Sequence, residues 1–390
     1  VMTPGCSFVN RFGEIPEGKL AESIHTSPNW IDGEFRNQQP TSVMVGKDGF
    51  VEAWWKFLTN STPDLKPAAP LPCTHTDLSA LDPSRDIAVW LGHSGLYFQL
   101  AGLRFLVDPV YSAYASPVSF INKSFEFRSG YPFTAKTTPP IDLLILTHDH
   151  WDHLDCETIK ALDHKVKRYA VPLGVNSHLL AWGINPDKIL VFDWYDAARF
   201  TEPKPEVVHP FHKPEKRLQP AEWKSGALQA PAIYFFPSRH FSGRTLKRDQ
   251  TLWGSYVIEA GGKRLYLSGD GGNGPHFKEI GDLFRDSGGF DLAFIEDGQY
   301  NADWAEIHMA PEGSVKAATE VGAKSVIPIH NCRYALARHA WYDPLERIRM
   351  ASHLADWKLL TPKVGDVVPI GDLTIEFPAW WRDVPKSASS

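Results

Sequence analysis

The sequence predicts an α/β fold in which two β-sheets are sandwiched between layers of helices. Three observations predict it. Short apolar runs punctuated by glycine come first, between Ile87 and Val107; similar runs then alternate with helix-compatible segments as far as Ala355; and one run leads directly into His148, His150, Asp152 and His153. With 390 residues, 43% of them apolar and 22% charged, the chain has ordinary globular composition and enough length to bury a sizeable core without covalent staples.

Residues 1–85 carry several prolines and glycines, an aromatic helix candidate over Val51–Leu58 (Val51, Trp54, Trp55, Leu58) and the proline-rich run Pro63–Pro72. They read as an extension wrapped on a main domain that spans 86–384. From Ile87 the pattern changes: Ile87–Leu91, Leu96–Leu100 and Leu103–Val107, set apart by Gly92, Gly95 and Gly102, form a meander of strands. Ile141–Leu146 is continuously apolar, as a strand covered on both faces is, and ends in Thr147. A helix follows, with Asp155 at its N-cap, Glu157 in the first turn, and Ile159 and Leu162 turned inward. Further strands are expected at Arg168–Val171, Ile189–Phe192, Ile233–Phe236, Tyr256–Glu259, Lys263–Leu267, Leu292–Ile295 and Ser325–Ile329. Helices fill Pro275–Asp286, Pro311–Val321 and Pro344–Ala355, the first and third opening with proline near N1. Residues 385–390 read as a disordered tail.

The net charge of −6 offers no basic excess for a phosphate backbone, so a nucleic-acid partner is not expected. Cys6, Cys73, Cys156 and Cys332 contain no Cys-x-x-Cys pair and do not make a disulfide framework in a chain of this size; buried thiols are the expectation. No stretch has the length of a transmembrane helix, and no apolar signal region precedes the start. The chain begins at Val1, as a trimmed chain or an alternative start codon would give. Gly5-Cys6 resembles the end of a bacterial lipoprotein cleavage site, but Thr3 and Pro4 fit its apolar positions poorly, and an ordinary thiol is the simpler expectation. The compartment stays open between cytoplasm and membrane association.

Alternation along the strand puts His148 and His150 on one side, while Asp152 and His153 fall in the turn before the helix. Imidazoles and a carboxylate suit zinc or another first-row metal, and one compact turn cannot saturate two ions. Three later strands lead to potential ligands: Ile233–Phe236 to His240, Lys263–Leu267 to Asp270, and Ser325–Ile329 to His330. Strand ends are where α/β folds gather their chemistry. A lone histidine beside an apolar run is usually structural, and that reading would serve for His240 or His330 singly; beside the cluster it fails.

His-x-His-x-Asp-His after an apolar strand, followed by a histidine, the Asp of Ser268-Gly269-Asp270-Gly271 and a final histidine, resembles the metallo-β-lactamase superfamily. Leu91-Gly92-His93-Ser94, Val107-Asp108-Pro109, His150-Trp151-Asp152-His153-Leu154-Asp155, His240-Phe241-Ser242-Gly243-Arg244-Thr245 with Leu252-Trp253-Gly254-Ser255, and Ile329-His330 are similar to its N-acylphosphatidylethanolamine-hydrolysing phospholipase D branch. The similarity runs from about Ile87 to Ala355. It implies an αββα sandwich and two zinc ions, with iron or manganese as substitutes. His148, His150 and His240 would hold one ion, Asp152, His153 and His330 the other, and Asp270 would bridge, so that Asp152 and Asp270 share in catalysis. It also implies a bridging hydroxide that attacks a phosphodiester clamped between two positive charges.

Asp108 and His93 are expected to orient ligands, a turn-forming Asp and a hydrogen-bonded His being the equal alternative. His308, in Glu306-Ile307-His308-Met309, matches the histidine of a Gln-His pair in the phospholipase and is expected to contact substrate or protonate the leaving group. Ile307 replaces the glutamine, a departure that bears on lipid specificity, and Trp151 replaces a tyrosine, which is expected to change the polar lining. Arg244 and Tyr300 are weaker candidates for anion contacts, with packing the stronger expectation, and Asp149 reads as a turn or network residue. Trp54, Trp55, Trp304, Trp341, Trp380 and Trp381 could form a lipid-facing rim, although such residues are more often core.

The resulting expectation is a phosphodiesterase acting on an N-acyl phospholipid, with peripheral membrane contact and a homodimer left open. A lactonase or other esterase with the same metal clamp is the alternative, and a non-catalytic metal-binding envelope scaffold is the alternative of another class. A true β-lactamase is disfavoured by the phospholipase-like segments.

Overall fold

The computed structural model describes residues 7–45, 62–201, 205, 207–208, 231–245 and 247–387. The helix candidate Val51–Leu58, with Trp54 and Trp55, lies outside them, as do Cys6 and residues 388–390.

Two sheets carry the fold. One has the strand order β17-β3-β4-β5-β6-β7-β8, built from β3 (Ile87–Gly92), β4 (Gly95–Leu100), β5 (Leu103–Val107), β6 (Ile141–Ile145), β7 (Val166–Pro172), β8 (Ile189–Phe192) and β17 (Val367–Pro369). The other has the order β10-β9-β11-β12-β13-β14-β15-β16, from β9 (Ala197–Ala198), β10 (Val207–Val208), β11 (Ala232–Phe236), β12 (Ser255–Ala260), β13 (Lys263–Leu267), β14 (Leu292–Glu296), β15 (Ser325–Ile329) and β16 (Lys358–Leu359). A short hairpin of β1 (Trp30–Ile31) and β2 (Glu34–Phe35) stands apart from both.

Side-chain alternation explains the layers. On β11, Ile233 and Phe235 enter the core between the sheets, whereas Tyr234 and Phe236 face a separate cluster with the outer helices. β13 and β14 repeat the pattern, Leu265, Leu267 and Phe294 pointing inward and Tyr266, Ala293 and Ile295 outward. Phe98 of β4 stacks on Phe294 of β14 across the sandwich, with ring centroids 6.5 Å apart. On the outer face of the second sheet lie α5 (His276–Phe284), through Phe277, Ile280 and Phe284, and α6 (Pro311–Val321), through Ala317, Ala318 and Val321. α7 (Asp343–Ala351) packs on α6. α3 (Cys156–Leu162) and α4 (Val175–Ala181) add Ile159, Leu162, Val175 and Leu179 to the core on the first sheet's side.

The expected strands are present, most within a residue or two of their predicted ends. Asp155 stands at the N-cap of α3, but its carboxylate caps no N–H of that helix; it accepts from the Ser112 N–H and from the Ser112 and Thr158 hydroxyls instead. Pro275 is the N-cap of α5 rather than its first residue, and α6 as well as α7 has proline in the first turn.

Trp341, Trp380 and Trp381 are 3%, 4% and 2% exposed and belong to the core, the commoner place for such residues, and not to a lipid-facing rim. Cys73 and Cys332 are free thiols, but Cys156 is disulfide-bonded. Ser387 is tied back by its N–H to Asp64 Oδ1 at 2.7 Å. No helix among the described residues is long and apolar enough to cross a membrane.

The N-terminal part, which includes α1 (Phe8–Arg11) and α2 (Lys19–His25), is bonded to the sandwich at many points. Arg11 reaches Glu157, Asn29 reaches Asp193, and Gln38 reaches Tyr195. The stretch from Asn37 to Val45 crosses one rim: Arg239 donates to Thr41, and the Val45 N–H donates to the Asp303 carbonyl.

Candidate metal centre

β3, β5, β6, β11, β13, β14 and β15 all run toward the same edge, since β5–β6 and β13–β14–β15 pair parallel and two antiparallel steps relate β3 to β5 and β11 to β13. The residues that follow these strands therefore meet there. His93, Asp108 and His330 hold positive φ angles of 54°, 42° and 67°, a backbone region costly for non-glycine residues and kept where surrounding structure over-determines it. Here a reciprocal bridge fixes two of them: His93 N–H donates to the Asn331 carbonyl and His330 N–H to the His93 carbonyl.

All seven side chains expected as ligands converge. His148, His150 and His240 lie with one ring nitrogen each within 4.8 Å of the others, and the same holds for His148, His153 and Asp270 and for His93, Asp152, His153 and His330. Asp270 is central: its Oδ2 is 3.0 Å from His153 Nε2, 3.8 Å from His148 Nε2 and 4.0 Å from His240 Nε2, and its Oδ1 is 3.2 Å from His330 Nδ1. His150 Nδ1 and His240 Nε2 are 3.2 Å apart, close to the ~3.4 Å between neighbouring nitrogens of a tetrahedral zinc site with bonds of about 2.0–2.1 Å.

Three of the imidazoles are also held from behind. His153 Nδ1 meets Asp108 Oδ2 at 2.8 Å, His148 Nδ1 meets Thr147 Oγ1 at 3.0 Å, and His240 Nδ1 donates to the Ile307 carbonyl at 3.1 Å. Asp108 also receives the Thr147 N–H and hydroxyl, and His93 Nε2 lies 2.7 Å from Asp152 Oδ2. Asp108 and His93 thus orient the groups around the centre, which the sequence left level with a structural alternative.

The inner atoms are the ones that make no hydrogen bond. His148 Nε2, His153 Nε2 and Asp270 Oδ1 are buried and crowd against the other ligand-type atoms, an arrangement that is costly in a closed protein interior and that a cation would satisfy. Burial, and the neighbouring imidazoles, hold His148, His240 and His330 well below the usual histidine range, so they present lone pairs. Burial opposes protonation of His153 too, but Asp270, Asp152 and Asp108 hold it well above that range. The donor set and its inner atoms fit two divalent cations.

A cleft of about 240 Å³ opens over this centre. Its floor is His150, Asp152, Asp270, His308 and His330; Val43, Met44, Phe241, Trp304, Ile307 and Leu336 give it an apolar wall. His308 contacts Glu296, a fully buried carboxylate that the sequence reading missed although it ends β14 as Asp270 follows β13. Burial pushes Glu296 up to about 7, and Glu296 in turn raises His308 against its own burial.

The weaker candidates take structural places. Arg244 is 2% exposed, donates to the Leu154, Asp149 and Arg11 carbonyls and stacks on Trp151. Trp151 is therefore under Arg244 and not among the residues lining the cleft, a correction to its expected part in the polar lining. Tyr300 donates to Asp343 and stacks on His339. Asp149 accepts from Gly243 N–H and Thr251, the network role expected of it.

Residues 103–331 match the beta-lactamase superfamily domain. An uncharacterized protein of Mycobacterium tuberculosis is 32% identical over 362 residues, covering 91% of this chain and 88% of that protein. N-acyl-phosphatidylethanolamine-hydrolyzing phospholipase D 1 of Caenorhabditis elegans is 27% identical over 300 residues, covering 73% and 76%. The solved structure of a metallo hydrolase from Ignicoccus hospitalis superposes with a TM-score of 0.50 at 16% identity, over 72% of this chain and 97% of that one. With the domain match spanning more than half its length and the αββα sandwich carrying the converged histidines, the chain belongs to the metallo-β-lactamase superfamily of metal-dependent hydrolases.

Proposed function

We propose that the chain is a dinuclear phosphodiesterase of the phospholipase D type, acting on an N-acyl phosphatidylethanolamine. The observation that carries this reading is the cleft, where a floor of ligand-type side chains meets an apolar wall. His148, His150 and His240 would hold one cation, Asp152, His153 and His330 the other, and Asp270 would serve both. Zinc suits these donors; iron or manganese would be accepted by the same atoms. Cations held there supply Lewis acidity toward phosphoryl oxygens, the chief need of a phosphodiester, whose reactivity is limited by its charge.

The chain's own residues do the rest. Phe241, Trp304, Ile307 and Leu336 exclude water from the floor, and Val43 and Met44 offer apolar surface to an acyl chain. His308 stands at the floor's edge, where it can take up a proton at its cleft-facing nitrogen and pass it on to the leaving oxygen. The similarity to the nematode phospholipase supports the substrate class, and a lipid substrate brings peripheral membrane contact with it.

A second reading, a lactonase or small-ester hydrolase, is favoured by the cleft's volume, which falls below the roughly 300–1,000 Å³ of pockets for drug-sized ligands. Zinc-restored protein should be assayed on a bis-aryl phosphate, a lipid phosphodiester and a lactone panel. Turnover of the phosphodiesters supports the first reading and of lactones alone the second; no turnover removes both.

A further inference from the structure

We propose that Glu296 is a positioning residue that fixes which nitrogen of His308 faces the cleft; the proposal rests on the hydrolytic reading above. Glu296 ends β14 and its carboxylate is completely shielded from solvent. Its backbone is pinned at both polar groups, the N–H donating to Ser268 Oγ and the carbonyl accepting from Ser314 Oγ. One carboxylate oxygen, Oε2, accepts the Gly271 N–H at 2.6 Å, next to Asp270; the other, Oε1, meets His308 Nδ1. Ionised, Glu296 only accepts at Oε1, so Nδ1 then carries a proton and donates it, and Nε2 is the edge left for the cleft that His308 lines. A ring nitrogen of His308 lies within 4.8 Å of both Asp270 and His240, and Glu296 is grouped in the same way with His308 and His330, so the ring stands beside the floor while being held by a carboxylate that does not itself line the cleft.

The arrangement makes one substitution informative. Glu296→Gln keeps shape and volume but has a single acceptor oxygen. The Gly271 N–H is a fixed donor and claims that oxygen, which turns the amide NH2 toward His308 Nδ1. Nδ1 must then accept, and the proton moves to Nε2. The ring stays in place while its two edges exchange roles.

The test combines nitrogen NMR with kinetics on the full-length, zinc-restored chain. In the unaltered protein His308 Nδ1 is protonated; in Glu296→Gln it is not. Zinc content is unchanged, kcat on a bis-aryl phosphate falls by about 10²-fold or more with KM altered less than about threefold, and Glu296→Gln/His308→Ala is no slower than His308→Ala. A protonated Nδ1 in Glu296→Gln, additive effects in the double variant, or loss of zinc from Glu296→Gln each overturns the proposal, the last by making Glu296 a ligand. Should Glu296→Gln fail to fold, an unprotonated Nδ1 in the unaltered chain overturns it. Absence of turnover by the unaltered protein would instead count against the hydrolytic reading, and the NMR comparison would still decide the positioning role.

Discussion

Asn37 grips the backbone of His240 from both sides: its amide nitrogen donates to the His240 carbonyl at 2.7 Å, and its amide oxygen accepts the His240 N–H at 3.1 Å. A residue of the N-terminal part thereby sets the position of an imidazole more than 200 places along the chain. Asn37→Ala removes both bonds and leaves two buried backbone groups unpaired. The expected result is a loss of about 1–3 kcal/mol in stability and roughly 10- to 100-fold weaker metal binding. Urea unfolding and a zinc competition titration check both; unchanged zinc affinity would show that His240 is placed without Asn37.

Gly298 presses on the other half of the centre. A Cβ at this position would lie 2.1 Å from the His330 carbonyl oxygen and 3.1 Å from Asn331 Cβ. Gly298→Ala must therefore shift the segment carrying His330, at a cost of about 1–3 kcal/mol. The shift should weaken the Asp152, His153 and His330 group more than the His148, His150 and His240 group. Metal stoichiometry after dialysis reads this directly, and equal loss from both groups would contradict it.

Chelation should destabilise the fold, because the buried inner atoms of His148, His153 and Asp270 make no hydrogen bond within the protein. A cation present at a hundred times its dissociation constant stabilises the native state by about 2.7 kcal/mol. Thermal unfolding with zinc and with chelator should differ by several degrees, and coincident curves would mean that no ion is held in the folded state.

Asp249 gives the stability a pH dependence of calculable sign. Burial pushes its carboxyl up from 3.8 to about 6, so between those values the folded chain keeps a proton that the unfolded chain has released. Stability from this group falls as pH rises through that window, and the cost is complete above about pH 6. Asp249→Asn removes the cost while keeping an acceptor for the Ser242 N–H and a side chain that tolerates φ of 58°. Because Asp249 is partly exposed, the gain at pH 8 is about 1 kcal/mol, vanishing near pH 4. Denaturant unfolding at the two pH values checks it, and an equal gain at both would contradict the assignment.

The long strands and the ligand set were legible because both rest on local patterns. Ile141–Ile145 and Ser325–Ile329 are unbroken apolar runs, and each leads into a polar residue whose chemistry announces itself. α4 was not legible: Val175–Ala181 is short and contains Asn176 and Ser177, poor helix formers, and is held by burial of Val175 and Leu179 against the sandwich. The short strands β16 and β17 exist only through partners far along the chain, and β9 is joined to the sheet through one, which no local pattern encodes. Trp341, Trp380 and Trp381 carry the composition of a lipid-facing rim yet are buried, since side-chain type does not say which face is covered. Glu296 ended an apolar run as visibly as the ligands do, but its bond to His308 joins two elements and required the fold.

Metal analysis of exhaustively dialysed protein, after zinc loading, probes the pairing of two cations through Asp270 most directly. The unaltered chain should retain two equivalents, His148→Ala one, and Asp270→Ala fewer than one, because its carboxylate faces both groups. Retention of two equivalents by Asp270→Ala, or of none by the unaltered chain, would contradict a shared dinuclear centre.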